Sequence, residues 1–159
     1  MLLLTGLSSQ PARADDPAFF AFSGGWFDFN RQKKESGELT VEYRDANKFW
    51  IFKPMGGIMA NSDGGGAAYA GVLVDLYFGN RLVLTPSFAP GVYLHGASKD
   101  LGGPIEFRSQ VELSYRFDDR SRLGFGISHM SNAHIYNKNP GTEILFINYA
   151  IPASTILNW

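Results

Sequence analysis

Apolar and polar residues alternate along most of this chain with a period of two. The clearest run is "IEFRSQVELSYRF" at 105–117. Ile105, Phe107, Ser109, Val111, Leu113, Tyr115 and Phe117 share one parity, and Glu106, Arg108, Gln110, Glu112, Ser114 and Arg116 share the other. Successive side chains of a strand point to opposite faces, so this run predicts a strand with one oily and one charged face. The same reading predicts eight strands, at about 18–29, 38–46, 49–60, 67–79, 81–95, 105–117, 121–132 and 142–151. In the second, Leu39, Val41 and Tyr43 oppose Thr40, Glu42 and Arg44; in the fifth, Leu82, Leu84, Phe88, Val92 and Leu94 share a parity with Pro86 and Pro90. Two prolines in a paired strand require bulges or lost ladder bonds. The first and third strands are aromatic on both parities and assign no face. No helical stripe of useful length, linker or internal repeat is apparent.

The connections alternate in length. Long polar ones ("NRQKKESGE", "NSDGGG", "HGASKDLGG", "AHIYNKNPG") follow the odd strands, and tight ones ("AN", "GN", "DDRS") follow the even strands. A closed antiparallel up-and-down barrel with one rim of long loops and one of short turns has this pattern, as outer-membrane barrels do. A barrel of eight strands fills its interior with side chains. Alternation alone leaves two orientations open. A soluble lipocalin-like barrel turns the oily face inward; a transmembrane barrel turns it to lipid and fills its lumen with Glu and Arg. The loop asymmetry, an apolar N-terminus and aromatics near predicted strand ends (Trp50, Tyr77, Tyr93, Tyr115, Phe117, Tyr149) favour the membrane.

Composition narrows this further. A length of 159 residues suits one domain, and a formal net charge of −1 offers no basic excess for nucleic acid. With no cysteine, disulfide scaffolds, thiolate metal sites and a Cys nucleophile are excluded. The 18 glycines and 13 phenylalanines fit a β-rich, turn-rich chain. No run approaches the ~18 apolar residues of a transmembrane helix. The start, "MLLLTGLSSQPARADD", ends in a small-x-small site at Ala12-Arg13-Ala14. It predicts that 1–14 is the remnant of a secretory signal peptide and 15–159 the barrel domain.

Candidate chemistry sits in the seventh predicted strand, "RLGFGISHMSNA". Leu123, Phe125 and Ile127 share a face with His129 and Ser131, whereas Ser128 lies on the opposite face with Gly124, Gly126 and Met130. In the antiparallel neighbour, Glu143, Leu145, Ile147 and Tyr149 share a parity, and Glu143 falls directly opposite or diagonal to His129. Ser131, His129 and Glu143 can therefore gather on one outer patch at the long-loop end. A serine hydroxyl needs a base; His supplies one near neutral pH, and a carboxylate on the other ring nitrogen fixes the tautomer. The set is that of an acyl hydrolase. Asn132, Asn137, Asn139 and Gly141 are nearby oxyanion-hole candidates. The plainer alternatives are interface polar residues for His129 and Ser131, a solvated charge for Glu143 and a lumen filler for Ser128. His95 and His134 fall in long loops and form no metal set. Glu42, Arg44, Glu106, Arg108, Glu112 and Arg116 read as a lumen network.

"SHMSNA" followed by "NPGTE", with the glutamate twelve residues after the serine, resembles the signature of the PagL family, outer-membrane lipid A 3-O-deacylases. The resemblance is specific over residues 124–150. It implies Ser131 as nucleophile, His129 as base, Glu143 as the residue orienting it, and Asn139 and Asn132 as oxyanion-hole candidates. The family pattern carries a glycine two residues after that asparagine, where this chain has His134. The implied activity is a serine esterase removing the ester-linked 3-hydroxyacyl chain at position 3 of lipid A, without a metal or other cofactor. Leu123, Phe125, Ile127, Leu145 and Ile147 would form an acyl-chain platform. Expected partners are lipid A or lipopolysaccharide as substrate, the bacterial outer membrane and a second copy of the chain as a homodimer, not nucleic acid. The rival functions are a non-catalytic structural or adhesive barrel and a soluble lipocalin-like binder of apolar ligands.

Overall fold

In the computed structural model, which describes residues 16–157, antiparallel pairing runs continuously around a closed ring. The strands are β1 (Phe19–Phe27), β2 (Ser36–Arg44), β3 (Lys53–Asn61), β4 (Gly66–Leu73), β5 (Leu76–Phe78), β6 (Leu82–Leu94), β7 (Ile105–Arg116), β8 (Arg122–Ser131) and β9 (Thr142–Pro152). A short helix, α1 (Ala153–Leu157), follows. Neighbours in sequence pair with each other except β4 and β5, which both pair with β6, and β1 pairs with β9. β4 and β5 keep one register along β6, with Leu73 opposite Ser87 and Leu76 opposite Leu84. They are the two halves of one wall strand, so the barrel has eight, and β8 and β9 are its seventh and eighth. The signal-peptide expectation for 1–14 lies outside the described residues.

The prolines of β6 explain the broken fourth strand. A proline donates no ladder bond. Around Pro90 the pairing lapses between Tyr69–Gly91 and Val72–Phe88, and opposite Pro86 the strand divides at Val74–Asp75. Both prolines are thus accommodated by lost ladder bonds without a change of register. Gly71 lies in the first gap; a Cβ there would come within 2.1 Å of the Phe88 carbonyl oxygen, so the two backbones approach as only glycine allows. In the second gap Asp75 turns to the lumen and accepts hydrogen bonds from Lys53 Nζ (3.1 Å), Thr85 Oγ1 (2.8 Å) and Arg122 Nη1 (2.9 Å).

Burial settles which face is inside. The oily parity is the exposed one, from Leu39 (73 %) to Ile147 (65 %), while Glu42, Glu112 and Arg122 are at most 2 % exposed. Uncompensated charge is costly in lipid and apolar surface is not, so this is a transmembrane barrel. The soluble lipocalin-like alternative is overturned, since it requires the reverse orientation. Much of the expected lumen network is present, although the buried Glu106 carboxylate has no hydrogen-bond partner among the described residues. Arg44 Nη2 donates to Glu42 Oε2 (2.8 Å) and Glu112 Oε2 (2.7 Å), Tyr69 Oη donates to Glu42 (2.8 Å), and Asn148 Nδ2 donates to Glu112 (3.0 Å). β1, unassigned by its aromatics, turns Phe19, Ala21 and Phe27 inward and Phe22 and Trp26 outward.

Two expectations need correction. The third strand begins at Lys53 and not at 49, because Phe49–Phe52 close on each other as a tight turn with Trp50 at φ 59°. The connection expected at "AN" is therefore longer and carries an exposed aromatic tip. Tyr93 is not a girdle aromatic. It shares the inward parity of β6 with Val83 and Ala89, is buried, and its hydroxyl donates to the Lys99 carbonyl (3.0 Å). Tyr77 is not one either: it lies opposite the inward Val83, and its hydroxyl donates to Asp16 (2.5 Å) and accepts from Arg122 (3.1 Å).

Candidate active site

The β8–β9 register places His129 directly opposite Glu143, Ile127 opposite Leu145, Phe125 opposite Ile147 and Leu123 opposite Tyr149. All of these face outward. His129 Nδ1 lies 3.2 Å from Glu143 Oε1, so the direct pairing, and not the diagonal one, is realised. With Nδ1 held by the carboxylate, Nε2 is the nitrogen left to exchange a proton. Ser131 is half-buried on the same face, two residues beyond His129, and opposite Phe107 of β7. It makes no hydrogen bond to His129 in this structure; in free hydrolases that contact is often long and tightens with substrate. Ser128 is buried on the lumen side, opposite Gln110. The structure therefore brings His129 and Glu143 together, leaves Ser131 beside them, and separates Ser128 from all three.

Gly141 packs against the imidazole. Its φ is +61°, and an added Cβ would stand 3.0 Å from His129 Cε1. Gly141→Ala should cost about 1–2 kcal/mol from the left-handed backbone alone and press on the ring. The expected result is a lower unfolding midpoint and a larger proportional loss of turnover, measured on the same preparation.

The loop from β8 to β9 separates the two asparagine candidates. Asn132 is fully buried, and its Nδ2 donates to the carbonyls of Leu101 and Lys138, each at 2.8 Å. Its Oδ1 accepts the His134 N–H at 3.0 Å. Both amide hydrogens are spent on tying two loops together, so the Asn132 side chain is a tether and not an oxyanion donor. Its backbone N–H donates to Asn139 Oδ1 at 3.1 Å, which docks Asn139 beside the residue that follows Ser131. Asn139 Nδ2 lies 3.2 Å from His134 Nδ1 and keeps a second hydrogen.

Immediately after β1, Asp28 is a buried hub. It accepts Lys99 Nζ (2.5 Å), Thr142 Oγ1 (3.3 Å) and the backbone N–H groups of Lys33 (3.2 Å) and Lys34 (3.1 Å). Burial alone would raise the Asp28 pKa, but Lys99 and the backbone donors outweigh it and hold the carboxyl below its usual range. The Phe29 N–H donates to the Glu143 carbonyl at 3.3 Å, so the first long loop is fixed to the strand that carries the candidate carboxylate.

Beside the triad candidates the outer wall holds a groove of about 420 Å³ lined by Gly24, Trp26, Phe125, Leu145 and Ile147. The last three belong to the expected acyl platform; Leu123 and Ile127 flank them on the same face. Sequence reading missed Gly24 and Trp26. β1 pairs with β9 so that Gly24 is opposite Ile147 and Trp26 opposite Leu145, and a Cβ on Gly24 would meet nothing within 4 Å. The available signal was a glycine pair inside a strand pattern, which marks an indentation or a close approach. Among the described residues no group of three or more His, Asp or Glu side chains is placed to hold a metal ion.

A family model described as "Lipid A 3-O-deacylase (PagL)" matches residues 18–152. The lipid A deacylase PagL of Bordetella bronchiseptica is 34 % identical over 53 residues, which is 33 % of this chain and only 30 % of that protein's length. Among solved structures, the outer-membrane enzyme PagL superposes with a TM-score of 0.67 at 15 % identity, covering 84 % of this chain and 99 % of that one. A de novo designed transmembrane β-barrel gives 0.61 at 11 % identity, covering 87 % and 98 %. Neisserial surface protein A gives 0.57 at 12 %, covering 85 % and 95 %. Similar barrels thus include an enzyme, a surface protein and a design, so the fold alone does not assign an activity.

Proposed function

Because this chain belongs to the PagL family of lipid A 3-O-deacylases, we propose that it is an outer-membrane esterase that removes the 3-hydroxyacyl chain ester-linked at position 3 of lipid A. The observation that carries this reading is the His129–Glu143 pair on the outer wall, at the upper end of an apolar face. A membrane-embedded acyl ester meets such a site by lateral diffusion, with its chain against Phe125, Leu145 and Ile147 and its ester near the headgroups. In an outer-membrane barrel the long-loop rim faces the cell exterior, so a site at this rim would meet lipid A in the outer leaflet.

The steps follow from the proton bookkeeping. His129 Nε2 takes the Ser131 hydroxyl proton as Oγ adds to the ester carbonyl carbon. Glu143 on Nδ1 stabilises the imidazolium that results. The tetrahedral oxyanion accepts the remaining N–H of Asn139. Collapse expels the sugar 3-oxygen, which leaves as the alcohol with the proton from His129, and Ser131 keeps the acyl group. A water deprotonated by His129 then adds to the acyl carbonyl, and Ser131 leaves with its proton, releasing the 3-hydroxy acid.

Mass spectrometry of lipid A from cells making the protein should show loss of one 3-hydroxyacyl group. Unchanged lipid A alongside well-folded barrel would favour the non-catalytic surface-barrel reading instead. The groove supplies a second test. Gly24→Leu fills it with an apolar side chain on a lipid-facing position and should not disturb folding. It should lower kcat/KM for long-chain esters roughly tenfold and leave a short-chain ester unaffected; equal loss on both would place the acyl chain elsewhere.

A further inference from the structure

We propose that His134 is a positioning residue for the oxyanion donor: its ring holds the Asn139 amide so that the remaining N–H is presented to the reaction centre. This rests on the hydrolase reading above. A backbone N–H can only donate, so the Asn139 atom that faces Asn132 N at 3.1 Å is Oδ1. Nδ2 therefore faces His134 Nδ1 at 3.2 Å. An amide nitrogen likewise can only donate, so Nδ1 accepts and the neutral imidazole carries its proton on Nε2. The Asn139 amide is held at both ends, which fixes its plane and the direction of its one unused hydrogen.

The conformation of the loop supports a role for the side chain and not only for the backbone. Ala133 and His134 are the central residues of a turn closed by the Ile135 N–H on the Asn132 carbonyl (2.9 Å), and both have positive φ, 50° and 62°. Two left-handed central residues define a type I′ turn, for which glycine is the least strained choice. This chain instead places histidine there, one of the residue types that tolerates the left-handed region, and it anchors the His134 N–H on Asn132 Oδ1. The turn thus keeps the backbone path a glycine would take and gains an acceptor that a glycine lacks.

The test uses the full chain in detergent micelles with a long-chain p-nitrophenyl ester. His134→Gly keeps the left-handed backbone and deletes the ring. It should lower kcat roughly three- to tenfold, the worth of one lost hydrogen bond, with KM unchanged and the folded barrel intact on unheated gels. His134→Asn, whose Oδ1 is as many bonds from the backbone as His Nδ1, should recover most of that loss. In an Asn139→Ala background His134→Gly should cost nothing further, because the two act through one group. A His134→Gly protein with wild-type kcat, or losses that simply multiply with Asn139→Ala, overturns the inference while leaving the hydrolase reading standing. A folded wild type inactive on the ester removes both.

Discussion

Under the proposed mechanism, Ser131→Ala should reduce deacylation by about 10³-fold or more, and Ser128→Ala should leave it within a few-fold of wild type. The contrast follows from strand parity. Ser131 lies on the outer face with His129, which has Glu143 on its far nitrogen. Ser128 is buried toward the lumen, where no lipid ester arrives. Neither substitution should disturb the barrel: among the described residues no side-chain hydrogen bond holds Ser131, and the buried Ser128 hydroxyl is unpartnered, so its loss orphans nothing. Steady-state turnover, with unheated gel mobility as the folding control, separates the two serines. Wild-type turnover in Ser131→Ala would end the nucleophile assignment, and a loss confined to Ser128→Ala would transfer it.

The second large effect is on stability. Arg44→Ala should destabilise the barrel by about 3–5 kcal/mol, the usual consequence of leaving buried charge without its partner. Arg44 stands between Glu42 and Glu112, joining β2 to β7 across the lumen at 2.8 Å and 2.7 Å. Without it, two carboxylates share a buried interior in which, among the described residues, Tyr69 and Asn148 remain as hydrogen-bond donors. Adding Glu112→Gln removes one of the stranded charges and should recover part of the loss. Denaturant unfolding in lipid vesicles measures both proteins. If Arg44→Ala alone is neutral, the network is hydrated and does not hold the wall together.

Much of this was legible in the residues. The period-two pattern located every wall strand, and in β7 it divided the faces as the structure does, because pleat geometry makes parity a local property. The same parity paired His129 with Ser131. What stayed illegible depended on neighbours distant in sequence. β1 is aromatic on both parities, so only its pairing with β2 and β9 decides which residues face lipid. The aromatic run at 49–52 has strand composition, yet it closes on itself as a turn. Asn132 and Asn139 look alike in the motif, and only the carbonyls of Leu101 and Lys138 reveal that one of them has no hydrogen to spare.

The sequence by itself therefore determined the wall: its strands, the two faces of those that alternate cleanly, and the serine that accompanies His129. Those follow from the alternation of side chains along an extended backbone. Tertiary structure decided orientation and register. Closing the ring forced Glu42, Arg44 and Glu112 into mutual contact and left the oily parity outside, which no single strand specifies. It set Glu143 opposite His129 rather than diagonal to it. It also brought β1 against β9, so that Gly24 became the floor of a groove beside Ile147. The β1–β9 contact joins residues more than a hundred positions apart, and local pattern carries no record of it.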